Sequence, residues 1–200
     1  MTTRLSSEII VVLPPATQAL LITNVIVFFA GSMLGGLRLE AFALWPLGTY
    51  FLPWQVITYA FLHGSLTHLL FNMFGLYMFG SDVERVWGTA RFVKYYLMCA
   101  LAGAVAQMLF SLITGSGAPM VGASASIFGL LVAFARLYPN RMLIPLFPPI
   151  PMRAPVFVAV YGVLELVLGV TGSAAGVAHF AHLGGLVGGY LYLKYGRGVR

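Results

Sequence analysis

Long apolar stretches alternate with short polar segments along most of this chain. Six of these stretches approach the length of about 20 residues that a helix needs to cross a bilayer. We therefore predict an all-α membrane protein, a bundle of six transmembrane helices forming a single domain over residues 1–200. The predicted spans cover roughly residues 16–37, 66–82, 91–114, 124–138, 154–171 and 177–194.

Two of the connecting segments are unusual. Residues 38–64, between the first and second spans, are rich in aromatic side chains and poor in charge, which favours a long loop lying in the outer membrane interface. The inner connection between the fourth and fifth spans is rich in proline, and we interpret it as a rigid connector. Its prolines, with one that precedes it, are Pro139, Pro145, Pro148, Pro149, Pro151 and Pro155.

The composition supports a membrane protein. Apolar residues make up 60% of the chain, charged residues 8%, and the mean hydropathy is +0.93. A soluble domain carries about 25% charged residues, so a soluble enzyme, a disordered chain and a nucleic-acid binder are excluded. The lone cysteine, Cys99, excludes an internal disulfide and a cysteine-based metal site. The apolar residues 9–13 are too short for a signal peptide, so we expect no cleaved leader.

The basic residues predict an orientation. With the N-terminus in the cytosol, only Arg38 falls on the outer side, and the other ten basic residues face the cytosol. This strong positive-inside bias predicts a multi-pass protein of the cell membrane with both termini in the cytoplasm. The ten residues are Arg4, Arg85, Arg91, Lys94, Arg136, Arg141, Arg153, Lys194, Arg197 and Arg200.

Polar residues inside membrane spans are costly and usually mark function. Counted from the cytosolic end of each helix at ~1.5 Å per residue, polar groups on four spans lie ~15–21 Å above the inner face. Four helices would therefore bring polar side chains into one layer. These side chains are His68, Asn72, Ser124, Glu165 and His182.

The fourth predicted span is too short to cross the membrane, since its roughly 15 residues reach only ~22 Å. A glycine-rich stretch, residues 115–123, precedes it and must therefore descend into the protein. Ser124 would then lie at a buried helix N-terminus, where free backbone N–H groups and the helix dipole favour developing negative charge.

A serine needs a base to become a nucleophile, and His182 lies at matching depth. His68 and Asn72, one turn apart on one helix, are hydrogen-bond donors of the kind that form an oxyanion hole. Together these residues predict an acyl-transfer site inside the membrane.

A G-x-x-x-G pattern on the sixth span, Gly185 and Gly189, would let the fourth span approach closely on the face that carries His182. The predicted partner face is the stripe of the fourth span formed by Ser124, Phe128, Leu131 and Ala135.

Three motifs now show a resemblance to a known family. The segments HGSLTHLLFN at residues 63–72, GASA at 122–125 and AHLGG at 181–185 resemble, in order and spacing, those of the rhomboid intramembrane serine proteases in their six-helix bacterial form. The resemblance covers residues ~40–195.

The resemblance implies that Ser124 is the nucleophile and His182 its general base. It implies that His68, Asn72 and the Ser124 backbone N–H hold the oxyanion. It also implies cleavage of single-span membrane proteins without metal or cofactor, with residues 154–177 acting as gate and cap.

Three positions depart from the family pattern. Ala125 stands where glycine usually follows the serine, which we expect to crowd the scissile carbonyl. Gln55 follows Trp54 where arginine is common, which puts the anchoring of the outer loop in doubt. Phe128 replaces a common tyrosine and should still stack under His182.

Several polar residues have simpler interpretations. We expect Ser126 to be a packing residue, and His63 and His179 to be structural or interfacial. Glu165 is either a triad acid or an interhelical hydrogen-bond partner. We favour the second role, so that Glu165→Gln would keep most activity.

Two other functions stay open from the sequence. One is a catalytically silent rhomboid-like protein that binds membrane clients, for which only Ala125 argues. The other is a small transporter or channel, which we rank last because the chain lacks paired halves and a continuous polar route.

Overall fold

A computed structural model describes residues 12–33, 40–48, 50–146, 148–172 and 177–196. The chain is mostly helical in these residues. The helices are α1 (Pro15–Met33), α2 (Gln55–Thr58), α3 (Leu66–Gly75), α4 (Ser81–Trp87), α5 (Thr89–Thr114), α6 (Ser124–Leu137), α7 (Ala154–Thr171) and α8 (His179–Tyr195). Two short 3-10 turns, Glu40–Phe42 and Tyr59–Phe61, lie in the first long loop.

The predicted helices match these elements within a few residues, except for the second, and the predicted end of the first at residue 37 lies outside the described residues. A π-helical segment, Leu76–Gly80, joins α3 to α4, and the backbone stays in the right-handed helical region at both junctions. The second predicted span is therefore one continuous helix that runs to Trp87, five residues beyond the predicted end at residue 82. It ends at Gly88, whose φ of 76° breaks the helix before α5.

Among the residues that the structure describes, three helices are long and apolar enough to cross a membrane: α1, α5 and α7. Helix α6 is apolar but has only 14 residues. Helix α8 has 17 residues and carries His179, His182 and Lys194, which lower its hydropathy. The protein is an integral membrane protein, and its six-span arrangement stays a prediction.

The outer helices are apolar on the outside and polar on the inside. On α1, Thr17 and Asn24 are fully buried, whereas Ile26 and Phe29 are more than half exposed. On α7 the exposed side chains are mostly valine and leucine. This is the reverse of a soluble helix and is the arrangement expected when lipid surrounds the bundle.

The core is built around α5, α6 and α8, which pack on one another more extensively than any other helices. Phe92, Tyr95, Tyr96 and Cys99 of α5 are buried there. The Tyr95 hydroxyl donates to the Gly129 carbonyl at 2.7 Å, so a polar bond joins α5 and α6 inside the core. Such bonds leave no polar atom of the tyrosine unpaired in an apolar interior.

The first long loop is anchored by Gln55. Its side chain is fully buried, accepts a hydrogen bond from the Trp45 backbone N–H, and donates to the carbonyls of Ala41 and Tyr50. Gln55 therefore ties three points of the loop together, so the doubt about loop anchoring was wrong. Tyr50 and Trp54 are exposed, as an interfacial loop requires.

The proline-rich connector contains a small hairpin that its composition did not predict. Strands β1 (Met142–Leu143) and β2 (Met152–Arg153) pair antiparallel. The Ala154 N–H then donates to the Arg141 carbonyl at 2.9 Å and ties the start of α7 to the end of α6. The connector thus fixes the distance between these two helices.

The buried carboxylate of Glu84 holds the start of α1 against α4. Its oxygens accept hydrogen bonds from the backbone N–H groups of Ala16 and Thr17 at 2.9 and 2.7 Å. They also accept bonds from the hydroxyls of Thr17 and Thr89, both at 2.8 Å. The first N–H groups of a helix have no acceptor within that helix. Glu84 of α4 provides the acceptor for two of these groups in α1.

We therefore expect Glu84→Ala to lower the free energy of unfolding by about 3 kcal/mol, because it leaves several buried donors without an acceptor. Thermal unfolding in detergent measures this. Asp82→Ala is the control, since Asp82 makes only a partly exposed pair with Arg85 at 3.3 Å and should cost less than about 1 kcal/mol. Equal losses in the two variants would contradict the capping role.

Candidate active site

Helix α6 begins at Ser124, and the residues just before it are buried, as predicted, whereas Gly115 and residues 117–119 of the same segment are exposed. Met120 and Ala123 are 6% and 0% exposed. Met120 exchanges two backbone hydrogen bonds with Leu44, and the Gly122 N–H donates to the Tyr59 carbonyl. These bonds from the first long loop fix the irregular backbone just before Ser124.

Ser124 and His182 are in direct contact. The Oγ of Ser124 lies 2.7 Å from Nε2 of His182, a hydrogen-bond distance. The Phe128 ring stacks on the imidazole at 4.5 Å with an interplanar angle of 11°, which confirms the predicted stacking. The imidazole is thus fixed by a hydrogen bond at its edge and a ring on its face.

Close packing of α6 and α8 allows this contact. A Cβ added at Gly185 would fall on the carbonyl oxygen of Ala125, and one added at Gly189 would lie 3.1 Å from the Gly129 Cα. The close approach at the G-x-x-x-G pattern is therefore confirmed. The predicted partner face was wrong in part: Ala125 and Gly129 meet the glycines, while Ser124 and Phe128 meet His182.

His68 borders the same space as Ser124. A Cβ added at Gly122 would lie 2.8 Å from the His68 ring and 3.7 Å from Ser124 Oγ. Gly122 has a φ of 128°, which side chains other than glycine rarely adopt, so both its conformation and its neighbours require glycine. Ser124 and His68 are half-buried.

Asn72 is buried one turn along α3 from His68. Its Nδ2 donates to the His68 carbonyl at 3.1 Å, so one amide hydrogen is used within the helix. An amide nitrogen carries two hydrogens, so this bond uses only one of them.

Two further expectations about polar residues agree with the structure. Ser126 is fully buried and its hydroxyl donates to the Tyr96 carbonyl at 2.9 Å, a packing role. His63, just before α3, meets the His68 ring edge-to-face at 5.1 Å. Burial, together with the charge of His68, lowers the pKa of His63 to about 4, so His63 is neutral at pH 7.

Ala125 does not crowd the site. It is 1% exposed, and its methyl group packs against Gly103 of α5, where an added Cβ would meet it. The expectation of crowding was wrong because the Ala125 side chain points into the interface with α5, where Gly103 has no side chain to clash with it.

A carboxylate lies behind His182, on the side away from Ser124. Oε2 of Glu165 lies 2.9 Å from Nδ1 of His182, although this approach is off the line of a hydrogen bond. The same oxygen lies 2.6 Å from Nδ1 of His179 in hydrogen-bond geometry. His179 and His182, three residues apart, therefore share one carboxylate. The sequence carried a signal for this cluster. Two histidines three residues apart share one helix face, and Glu165 lies at matching depth on the neighbouring span.

The arrangement joins a hydroxyl, an imidazole that can accept its proton, and donors beside a helix N-terminus. These are the parts of a site that transfers an acyl group from an amide or ester to serine.

The chain is similar to known proteins. Residues 51–198 match the model of the Rhomboid domain. Rhomboid protease GluP from Bacillus subtilis is 30% identical over 139 residues, which are 68% of this chain and 25% of that protein. Rhomboid protein 1, mitochondrial, from Saccharomyces cerevisiae is 30% identical over 150 residues, 70% of this chain and 41% of the relative. Rhomboid protease GlpG from Yersinia pestis is 26% identical over 182 residues, 88% and 61% of the two chains.

The chain belongs to the rhomboid family, as its motifs indicated. It spans between about a quarter and three fifths of the length of these relatives.

Proposed function

We propose that this protein is an intramembrane serine protease in which Ser124 is the nucleophile and His182 the general base. The observation that carries the proposal is the 2.7 Å contact between Ser124 Oγ and His182 Nε2 at the start of α6. His68, Asn72 and the Ser124 backbone N–H are the proposed oxyanion donors. Membership of a family whose relatives are named rhomboid proteases supports it.

The reaction follows from these roles. Nε2 of His182 takes the hydroxyl proton while Oγ of Ser124 forms a bond to the scissile carbonyl carbon. The π electrons move to the carbonyl oxygen, which the donors stabilise. The C–N bond then breaks as the proton passes to the leaving amine. Water next attacks the acyl ester with His182 again as base, which frees the acid and restores Ser124.

The proposed substrates are single-span membrane proteins cut in or near their transmembrane segments. The exposed apolar faces of the outer helices support this proposal, because a substrate helix in the bilayer would pack against such faces. Ser124 and His68 are half-buried, so part of each residue is accessible, as the proposal requires.

We infer a six-span topology in the cell membrane with both termini in the cytoplasm. Seven described basic residues flank helix ends and the hairpin, as the positive-inside rule requires. They are Arg85, Arg91, Lys94, Arg136, Arg141, Arg153 and Lys194. The other four, Arg4, Arg38, Arg197 and Arg200, lie outside the described residues.

Hydrolysis of a model single-span substrate by the purified protein in liposomes tests the function, with His182→Ala alongside. We expect cleavage by the wild type and loss of at least ~1,000-fold in the variant, because no other base lies at Ser124 Oγ among the described contacts. A folded wild type that cleaves none of several substrates and ignores fluorophosphonate would instead support a silent, client-binding member of the family.

A further inference from the structure

We propose that Glu165 is a positioning residue for His182: its carboxylate keeps the imidazole in the tautomer that accepts the Ser124 proton. His179 fixes the carboxylate from the other side. The inference rests on the proposed function of Ser124 and His182 and deepens it.

The tautomer of His182 follows from its two neighbours. Nε2 must be free of hydrogen if it is to accept the Ser124 proton, so a neutral imidazole carries its hydrogen on Nδ1. Nδ1 of His182 is buried and has no aligned hydrogen bond with any described residue. The acceptor within reach is Oε2 of Glu165 at 2.9 Å, and a small ring rotation would align them.

The position of Glu165 is unusual for its helix. In α7 only Ala154, Phe157 and Glu165 are buried, and the rest of the helix presents mainly apolar side chains outward. An acid on such a helix is expensive unless a partner satisfies it. The 2.6 Å hydrogen bond from His179 satisfies the buried carboxylate and also holds its Oε2 beside His182.

The distances favour a hydrogen-bonded cluster over a metal site. The ligand atoms of Glu165, His179 and His182 lie within 4.8 Å of one another. Ligands around zinc, at bonds of about 2.0–2.1 Å, stand about 3.3 Å apart. Oε2 lies closer than that to both nitrogens, at 2.6 and 2.9 Å, so the carboxylate bonds to the rings directly.

Glu165 would act through charge as well as orientation. When His182 takes the Ser124 proton, a positive imidazolium forms beside a negative carboxylate, which favours the transition state over the ground state. The proton stays on the imidazole and no covalent bond to Glu165 forms.

The 2.9 Å approach to His182 replaces the expectation from the sequence that Glu165→Gln keeps most activity. We now expect this variant to lower kcat about 10- to 100-fold with little change in KM, since the substrate does not touch this side chain. The acidic limb of the pH profile of kcat/KM should move to lower pH, because the protonated imidazole loses its neighbouring negative charge. Glu165→Asp should recover part of the rate.

The companion variant is His179→Asn, which removes one hydrogen bond to the carboxylate but keeps the Glu165 charge, so we expect a smaller loss of kcat and a smaller shift of the pH limb than in Glu165→Gln. If Glu165 only ties α7 to α8, both variants should lower thermal stability alike and leave the pH limb unmoved, which would overturn the proposal.

The titratable and ring groups that face His182 are Ser124 and Phe128 on α6, Glu165 on α7, His179 on α8 and His68 on α3. Beside this turn of α8, helix α5 presents Ala102, Gly103 and Ala106.

Nitrogen-15 NMR of labelled histidine gives a readout that does not need catalysis. We expect His182 in the wild type to carry its hydrogen on Nδ1, and Glu165→Gln to mix the tautomers or shift that signal. A His182 spectrum unchanged by Glu165→Gln would overturn the positioning role. A wild type that cleaves nothing but shows the tautomer shift would contradict the proposed function alone.

Discussion

Replacing Ser124 with alanine should lower the rate of substrate cleavage by at least ~10⁴-fold. No other described hydroxyl contacts His182 Nε2, so the general base would have no nucleophile to activate. The fold should persist, because Ser124 is half-buried and alanine fits its place at the start of α6. Cleavage of a fluorescent single-span substrate in liposomes measures the loss, with thermal unfolding recorded beside it.

Ser126→Ala is the matched control, on the same helix two residues on. Its hydroxyl bonds to the Tyr96 carbonyl, away from His182, so the variant should cost about 1 kcal/mol of stability and keep its activity. Residual activity in Ser124→Ala, or an equal loss in Ser126→Ala, would contradict the assignment of the nucleophile.

The second large effect is expected from Gly185→Ala. The added methyl group would fall on the Ala125 carbonyl oxygen, with the Ala125 carbonyl carbon 2.7 Å away. Backbone atoms of a packed helix cannot move aside as a flexible side chain does, so α6 and α8 must separate. We expect a loss of about 3 kcal/mol of stability and at least ~100-fold in activity, because the Ser124–His182 hydrogen bond spans the same interface.

Gly162→Ala on α7 tests whether any added methyl group has this effect. There the new Cβ would meet only Leu186 Cδ1, at 3.3 Å, the end of a flexible side chain. We expect near-wild-type unfolding temperature and activity from this variant. Wild-type behaviour of Gly185→Ala in the same assays would show that the two helices do not depend on the close approach.

Much of the fold was predictable because it depends on local signals. The apolar runs located six helices, and the glycine-rich stretch before residue 124 predicted the buried start of α6. Shared depth along separate helices indicated that Ser124, His182 and His68 belong together. Depth is estimated by counting residues along one helix. The estimate therefore does not require knowing how the helices are arranged around one another.

The direction in which a side chain leaves its helix could not be predicted, because it depends on crossing angles set by packing. Ala125 was expected to intrude on the site, yet Gly103 of another helix takes up its methyl group. Glu165 was expected to make an interhelical hydrogen bond, and it makes one with His179 at 2.6 Å. That the same oxygen also lies 2.9 Å from His182 could not be predicted. Three of the four hydrogen bonds of Glu84 likewise join parts of the chain nearly 70 residues apart.

The most direct measurement of the central claim is mass spectrometry of the folded protein after reaction with a fluorophosphonate. Such reagents modify a serine only when a neighbouring base activates it. We expect one adduct on the peptide that contains Ser124 and none in His182→Ala. An unmodified Ser124 in a folded wild-type protein, or an adduct that persists without His182, would contradict a serine activated by this histidine.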